Sequence, residues 1–172
     1  MDTIQTIMTR RSVRQFVPKA VSHEVVEMLL RAAMQAPSAR NEQPWEFVVI
    51  DDRKLLDQIP TFHPYASMTQ TSPMAILVCG NLDREVSKGL WIQDCAAATQ
   101  NLLLAAHAIG LGAVWCACYP YEDRSTGFRT MLHLPDAVVP FAIIPIGYPA
   151  HVPAPQDRYA ADRVKWNSWD VK

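Results

Sequence analysis

Residues 9–16 read TRRSVRQF, crowding Arg10, Arg11 and Arg14 around Ser12 in a chain of 172 residues whose formal net charge is only -1. In an extended run alternate residues project to one side, so Arg10, Ser12 and Arg14 share a face. Arginine donates from a rigid planar fork that fits phosphate oxygens, and a serine hydroxyl adds a compact donor beside it. This spacing fits an anion cradle, and it also fits a solvated basic turn. The rest of the chain has to decide between them.

The next polar island, APSARNEQPWEF at residues 36–47, tips the balance. Asn41 and Gln43 each carry an amide that donates and accepts at once, which suits a ring edge with alternating N–H and C=O groups, and Ser38 adds a hydroxyl. Pro37 and Pro44 bracket the loop and restrict it, lowering the ordering cost of binding. An asparagine-bearing turn before a strand has the same local pattern.

Around these islands helical and extended patterns alternate. Asp2 is a candidate N-cap for a short helix with Ile4, Ile7 and Met8 on one stripe, which delivers the chain to Arg10. Ser22 caps a second helix that presents Val25, Val26, Leu29, Leu30, Ala33 and Met34 and stops before Pro37. WEFVVID reads as a strand, RKLLDQI as a short helix, 61–73 as loop or weak helix, and MAILVCG as a buried strand. GLWIQDCAAATQNLLLAAHAIG is the longest helix, about six turns at 3.6 residues each, with Gly110 as its C-terminal stop. It is apolar on most sides, as for a helix in the middle of a molecule or against a partner chain. GAVWCACY reads as one strand, DRSTGFRTMLHL as a helix, and AVVPFAIIPIGYP as a strand whose two prolines predict an edge position or a kink. The segment 149–172 has few aliphatics but carries Trp166 and Trp169, so it is expected to lie along another surface with those rings as anchors.

Composition narrows the function classes. With 49% hydrophobic and 19% charged residues, one globular domain spanning 1–172 is expected. The near-neutral charge speaks against nucleic acid as a partner. No apolar run reaches membrane-spanning length and the first twenty residues are amphipathic, so a soluble, cytoplasmic protein is expected. Cys79, Cys95, Cys116 and Cys118 lack zinc spacing and read as packing residues rather than metal ligands or redox groups. His23, His63, His107, His133 and His151 are scattered and suggest no catalytic triad; His107 reads as a packed or interface residue.

TRRSVRQF, APSARNEQPWEF, the helix ending AHAIGLGAVW, the strand end PIGYP and a late DRY occur in an order that resembles the nitroreductase family of FMN-dependent oxidoreductases, in its short form. The resemblance runs through nearly the whole chain. It implies an α+β fold with a central, mostly antiparallel sheet flanked by helices, in an intertwined homodimer whose segments 149–172 wrap the partner. It assigns the FMN phosphate to Arg10, Ser12 and Arg158, with Arg11 adjacent and able to replace a basic position that is Gln156 here. Arg14 falls near the ribityl chain and the pyrimidine edge, where a fixed cation favours flavin reduction. Pro37, Ser38, Ala39, Asn41 and Gln43 would reach the flavin from the other subunit, Ala39 standing where many relatives have a second serine. Cys116 and Ala117 would pass the central ring and offer a backbone N–H to N5. The activity implied is ping-pong hydride transfer from NAD(P)H, as co-substrate, through FMN to a nitroaromatic, quinone or similar small acceptor. Two alternatives stay open: an FMN-binding or redox-sensing protein without turnover, and a relative acting on flavin itself or on a halogenated aromatic.

Overall fold

A computed structural model describes residues 2–169; position 1 and the last three residues of the predicted wrapping segment, 170–172, lie outside the described residues. The chain forms helices α1 (Thr3–Thr9), α2 (His23–Met34), α3 (Arg53–Gln58), α4 (Trp91–Ala108) and α5 (Glu122–Leu132) and strands β1 (Trp45–Ile50), β2 (Met74–Asn81), β3 (Gly112–Ala113), β4 (Cys116–Ala117) and β5 (Val138–Gly147). The strands make one sheet in the order β1-β2-β5-β3, with β4 also paired to β5, and every pair is antiparallel.

The sheet is covered on both faces, which explains why β2 reads as a continuous apolar run instead of an alternating one. Met74, Ile76 and Val78 join Ala142, Ile144 and Ile146 in a core built with α2 and α4. Their alternates Ala75, Leu77 and Cys79 join Ile143, Leu56, Val114 and Phe128 in a second core under α3 and α5. Period-two alternation thus divides one strand between two cores.

Caps set the helix starts as expected. Asp2 accepts from the Gln5 N–H at 2.8 Å and Ser22 accepts from that of Val25 at 3.5 Å. Leu29 and Ala33 bury the inner face of α2, but Met34, predicted to lie on that face, is 48% exposed. α4 has 18 residues, about five turns rather than six, because its regular hydrogen bonding begins only at Trp91. Gly110, with φ +83°, follows the helix as its left-handed stop.

Two expectations about the second half of the sheet need correction. GAVWCACY is not one strand: the ladder breaks at Val114 and Trp115 between β3 and β4. β5 does not lie at an edge, since it pairs with β2 on one side and with β3 and β4 on the other. Its prolines survive there because the ladder is interrupted where each lacks its donor. Pro140 pairs with Cys79 at a register shift in β2, and Pro145 faces the break between β3 and β4, accepting there from the Val114 N–H.

Residues 151–169 run almost wholly exposed, with Trp166 at 84% and Trp169 at 82%. Neither tryptophan is an anchor within its own chain. Ile4, Ile7 and Met8 of α1 are exposed as well.

Candidate active site

The turn after α1 is placed by the sheet. The Val13 N–H donates to the Ala113 carbonyl at 3.0 Å, and Ser12 bridges Ala113 in parallel. This docks TRRSVRQF along β3 and separates its arginines. Arg10 and Arg11 line a cavity of about 410 Å3 with Ile7, Met8, Gln100, Gln156, Asp157, Arg158 and Tyr159. Arg14 lines a different cavity of about 400 Å3 with Tyr65, Val114, Trp115, Cys116, Ala117, Tyr121 and Arg124. Half-buried Ser12 lines neither. The common face predicted for Arg10, Ser12 and Arg14 is therefore divided, because the chain leaves α1 through Arg10 as its cap before becoming extended.

In the first cavity three guanidiniums meet from opposite ends of the chain. Burial, then Arg158, then Arg11 push the Arg10 guanidinium below its ordinary value. Arg11 Nη1 donates to Gln156 Oε1 at 3.0 Å, so the neutral side chain at 156 orients this arginine. Like charges gathered with only Asp157 as an acid among the lining residues are unfavourable by themselves and suit a bound polyanion. The cluster matches a phosphate monoester in both donor type and charge.

The second cavity has a backbone floor. Val114 and Cys118 donate their N–H groups to Pro145 and Phe141, and Cys116 pairs with Ile143. Strand alternation then turns the N–H and C=O of Ala117 away from β5. The Ala117 carbonyl accepts from His63 Nε2 at 3.0 Å and from Arg124 Nη1 at 2.7 Å. Two side chains from distant segments fix this peptide. His63 is fully buried and its Nδ1 has no partner; burial, then Arg124, hold it below its ordinary value, so the ring is neutral.

The thiols do not make a reactive centre. Cys79, Cys95, Cys116 and Cys118 are free and buried. Burial pushes the Cys116 thiol up to about 11 despite Arg14 and Arg124 nearby, and that of Cys79 to about 12. No group of potential metal ligands occurs among the described residues.

The loop 37–43 stands apart from both cavities within one chain. Pro37, Ser38 and Ala39 line a third depression with Leu90, Gln93, Asp94 and Ala97 of the α4 region. The Ala39 N–H donates to Asp94 Oδ1 at 2.9 Å, and burial, with Glu42 as a neighbour, pushes the Asp94 carboxyl above its ordinary range. The Gln43 N–H donates to Ser38 Oγ at 3.0 Å and Gln43 Nε2 to Asn41 Oδ1 at 2.9 Å. Arg40, Asn41 and Gln43 hold φ values of 49°, 57° and 47°. Left-handed backbone at three non-glycine residues is costly and recurs at binding loops. Asn41 and Gln43 are exposed.

The structure thus joins Arg10, Arg11 and Arg158 in one cavity and Arg14, Cys116 and Ala117 in another, and it leaves Pro37, Ser38, Ala39, Asn41 and Gln43 on a separate surface. Sequence reading missed His63, Tyr65, Tyr121 and Arg124. His63 and Tyr65 fall in an irregular segment without periodicity, and Arg124 lies at the start of DRSTGFRTMLHL, a stretch whose pattern gives a helix and nothing more.

Comparison with known proteins adds independent findings. A family model described as "Nitroreductase family" matches residues 7–62 and 61–148. A protein of Methanothermobacter thermautotrophicus named "Putative NADH dehydrogenase/NAD(P)H nitroreductase" is 46% identical over 98% of this chain and 88% of its own. A solved structure of the same name from Parabacteroides distasonis superimposes with a TM-score of 0.93 at 44% identity, covering 97% of this chain and 98% of the other. Another, from Desulfovibrio desulfuricans and carrying FMN, has a TM-score of 0.83 at 31% identity over 99% of both chains.

Proposed function

The chain belongs to the nitroreductase family, and from that premise we propose that it is an FMN-dependent oxidoreductase working as a homodimer. When bound, FMN supplies the two-electron chemistry, taking a hydride from NADH or NADPH and passing reducing equivalents to a nitroaromatic, quinone or similar small acceptor. The observation that carries this reading is the meeting of Arg158 with Arg10 and Arg11 across the length of the sequence. These guanidiniums hold the phosphate monoester, with Ser12 at the turn beside them.

Arg14 is the cation for the pyrimidine edge, where negative charge accumulates on reduction. The outward Ala117 N–H is the donor toward N5, and Cys116 fixes the strand beneath it. His63 and Arg124 hold that peptide still through its carbonyl.

Pro37, Ser38, Ala39, Asn41 and Gln43 serve the site of the partner, which accounts for their distance from the cavities of their own chain. The exposed Ile4, Ile7, Met8, Tyr159, Trp166 and Trp169 support a second copy as their cover. In this reading the chain is one domain whose segment from 149 onward lies along that copy. No helix among the described residues is long and apolar enough to cross a membrane, and four free thiols agree with work in the cytoplasm.

The test is direct. Purified protein should be dimeric by light scattering, bind one FMN per chain, and lose its oxidised-flavin absorbance when NADH or NADPH is added anaerobically, regaining it with a quinone. A colourless monomer that ignores added FMN would refute the proposal. Flavin binding with no response to either nicotinamide would favour a protein without turnover.

A further inference from the structure

In the cavity over Cys116 and Ala117 the cofactor reading uses one nitrogen of Arg124 to hold the Ala117 carbonyl and gives its charge no counterpart. Arg14 serves the pyrimidine edge, whereas Arg124 enters from the first turn of α5. Its guanidinium carbon lies 3.8 Å from the centre of the Tyr121 ring and 5.3 Å from that of Tyr65. The residue is only 8% exposed, and its Nε is buried without a partner. None of the residues lining the cavity is acidic, and among the described residues the ion pairs formed are those of Arg31, Arg53 and Arg84. His63 is held below its ordinary value by burial and by Arg124, with Asp123 acting weakly in the other sense from outside the lining, so Arg124 is the cation that the lining presents at this end.

A guanidinium withdrawn from water needs a counter-charge to be favourable, and one carbonyl with two aromatic faces compensates it only in part. A neutral hydrogen-bonding side chain could hold the Ala117 carbonyl without that cost. Retaining a cation therefore points to an anion brought by a ligand. The surroundings of that charge, Tyr65 and Tyr121, are ring faces suited to a planar aromatic body.

We propose that Arg124, framed by Tyr65 and Tyr121, receives the anionic group of the electron acceptor, making aromatic carboxylates the preferred substrate class over neutral aromatics. This rests on the flavin reading above. Arg124 sets specificity by pairing with the carboxylate, and its bond to Ala117 keeps it oriented for that contact.

The experiment compares 4-nitrobenzoate with 4-nitrobenzamide, a neutral analogue of almost the same shape, on FMN-loaded protein. Parent protein should favour the carboxylate at least tenfold in kcat/KM, and raising the ionic strength should shrink that ratio. Arg124→Gln should bring the ratio close to one, and Arg124→Lys should keep part of it. Binding of benzoate against benzamide to the oxidised holoprotein, followed by perturbation of the flavin spectrum, should show the same preference without turnover. Holoprotein that is reduced by NADH but treats the two acceptors alike, at low and high salt, overturns the inference and leaves the proposed function standing. A preference that survives Arg124→Gln, or an Arg124→Gln protein that loses FMN itself, also overturns it. Failure to bind FMN overturns both readings.

Discussion

Replacing Arg158 by alanine separates the phosphate role of the arginine cluster from a merely structural one. Arg158 is exposed, so the bond proposed from it to a phosphate oxygen belongs at the lower end of the range for hydrogen bonds to charged groups, about 1.5 kcal/mol. A difference of about 1.4 kcal/mol is tenfold in affinity, so FMN should bind about tenfold more weakly. Riboflavin, which lacks the phosphate, should bind as before, and the difference between the two ligands should diminish as salt is added. The apoprotein behaves in the opposite sense: Arg158 depresses Arg10 through like-charge repulsion, so its removal should leave the empty protein at least as stable. Isothermal titration with both flavins and urea denaturation of the apoprotein measure the two effects. Equal weakening of FMN and riboflavin, or a less stable apoprotein, would refute the reasoning.

Three further outcomes are expected. Leu102, fully buried between α4 and the sheet, should cost about 2–5 kcal/mol when changed to alanine, read as a lower urea midpoint at unchanged slope. His63 has a folded value below its ordinary 6.5, so the unfolded chain binds the extra proton: stability should be full above that value, fall as pH drops through it, and level off below the folded value. Urea titrations across this window should show that slope in the parent and a flatter one in His63→Asn; parallel curves would remove His63 as its source. Changing Trp166 and Trp169 to alanine should weaken the dimer by about 2 kcal/mol per ring, measured by sedimentation, whereas an unaltered dissociation constant would mean that the segment 149–172 does not hold the partner.

Periodicity made the layers of this fold readable, because a helix must show one apolar stripe and a strand covered on both faces must be apolar throughout. MAILVCG and the face of α2 that carries Leu29 and Ala33 satisfied those conditions in the linear text. The prolines of β5 misled in one respect: Pro140 and Pro145 do require missing ladder bonds, but a shift in β2 and a gap between β3 and β4 supply them inside the sheet. At the site, Arg10, Arg11 and Arg14 stood out by crowding, and Arg158 became a candidate through resemblance alone, since 146 residues or more separate it from the arginines it meets. His63, Tyr65 and Arg124 carried no local signal. Their significance comes from converging on one carbonyl and one cavity, which is a property of the folded chain.

Three sealed sulfurs, those of Cys79, Cys95 and Cys118, give this molecule an internal clock. A thiol-reactive dye added to the native protein finds these three closed to it until a molecule opens, because each is fully buried and its proton is held more tightly than in water. Colour development in the absence of denaturant therefore counts openings one chain at a time, and flavin or nicotinamide added to the same cuvette registers directly as a change in tempo.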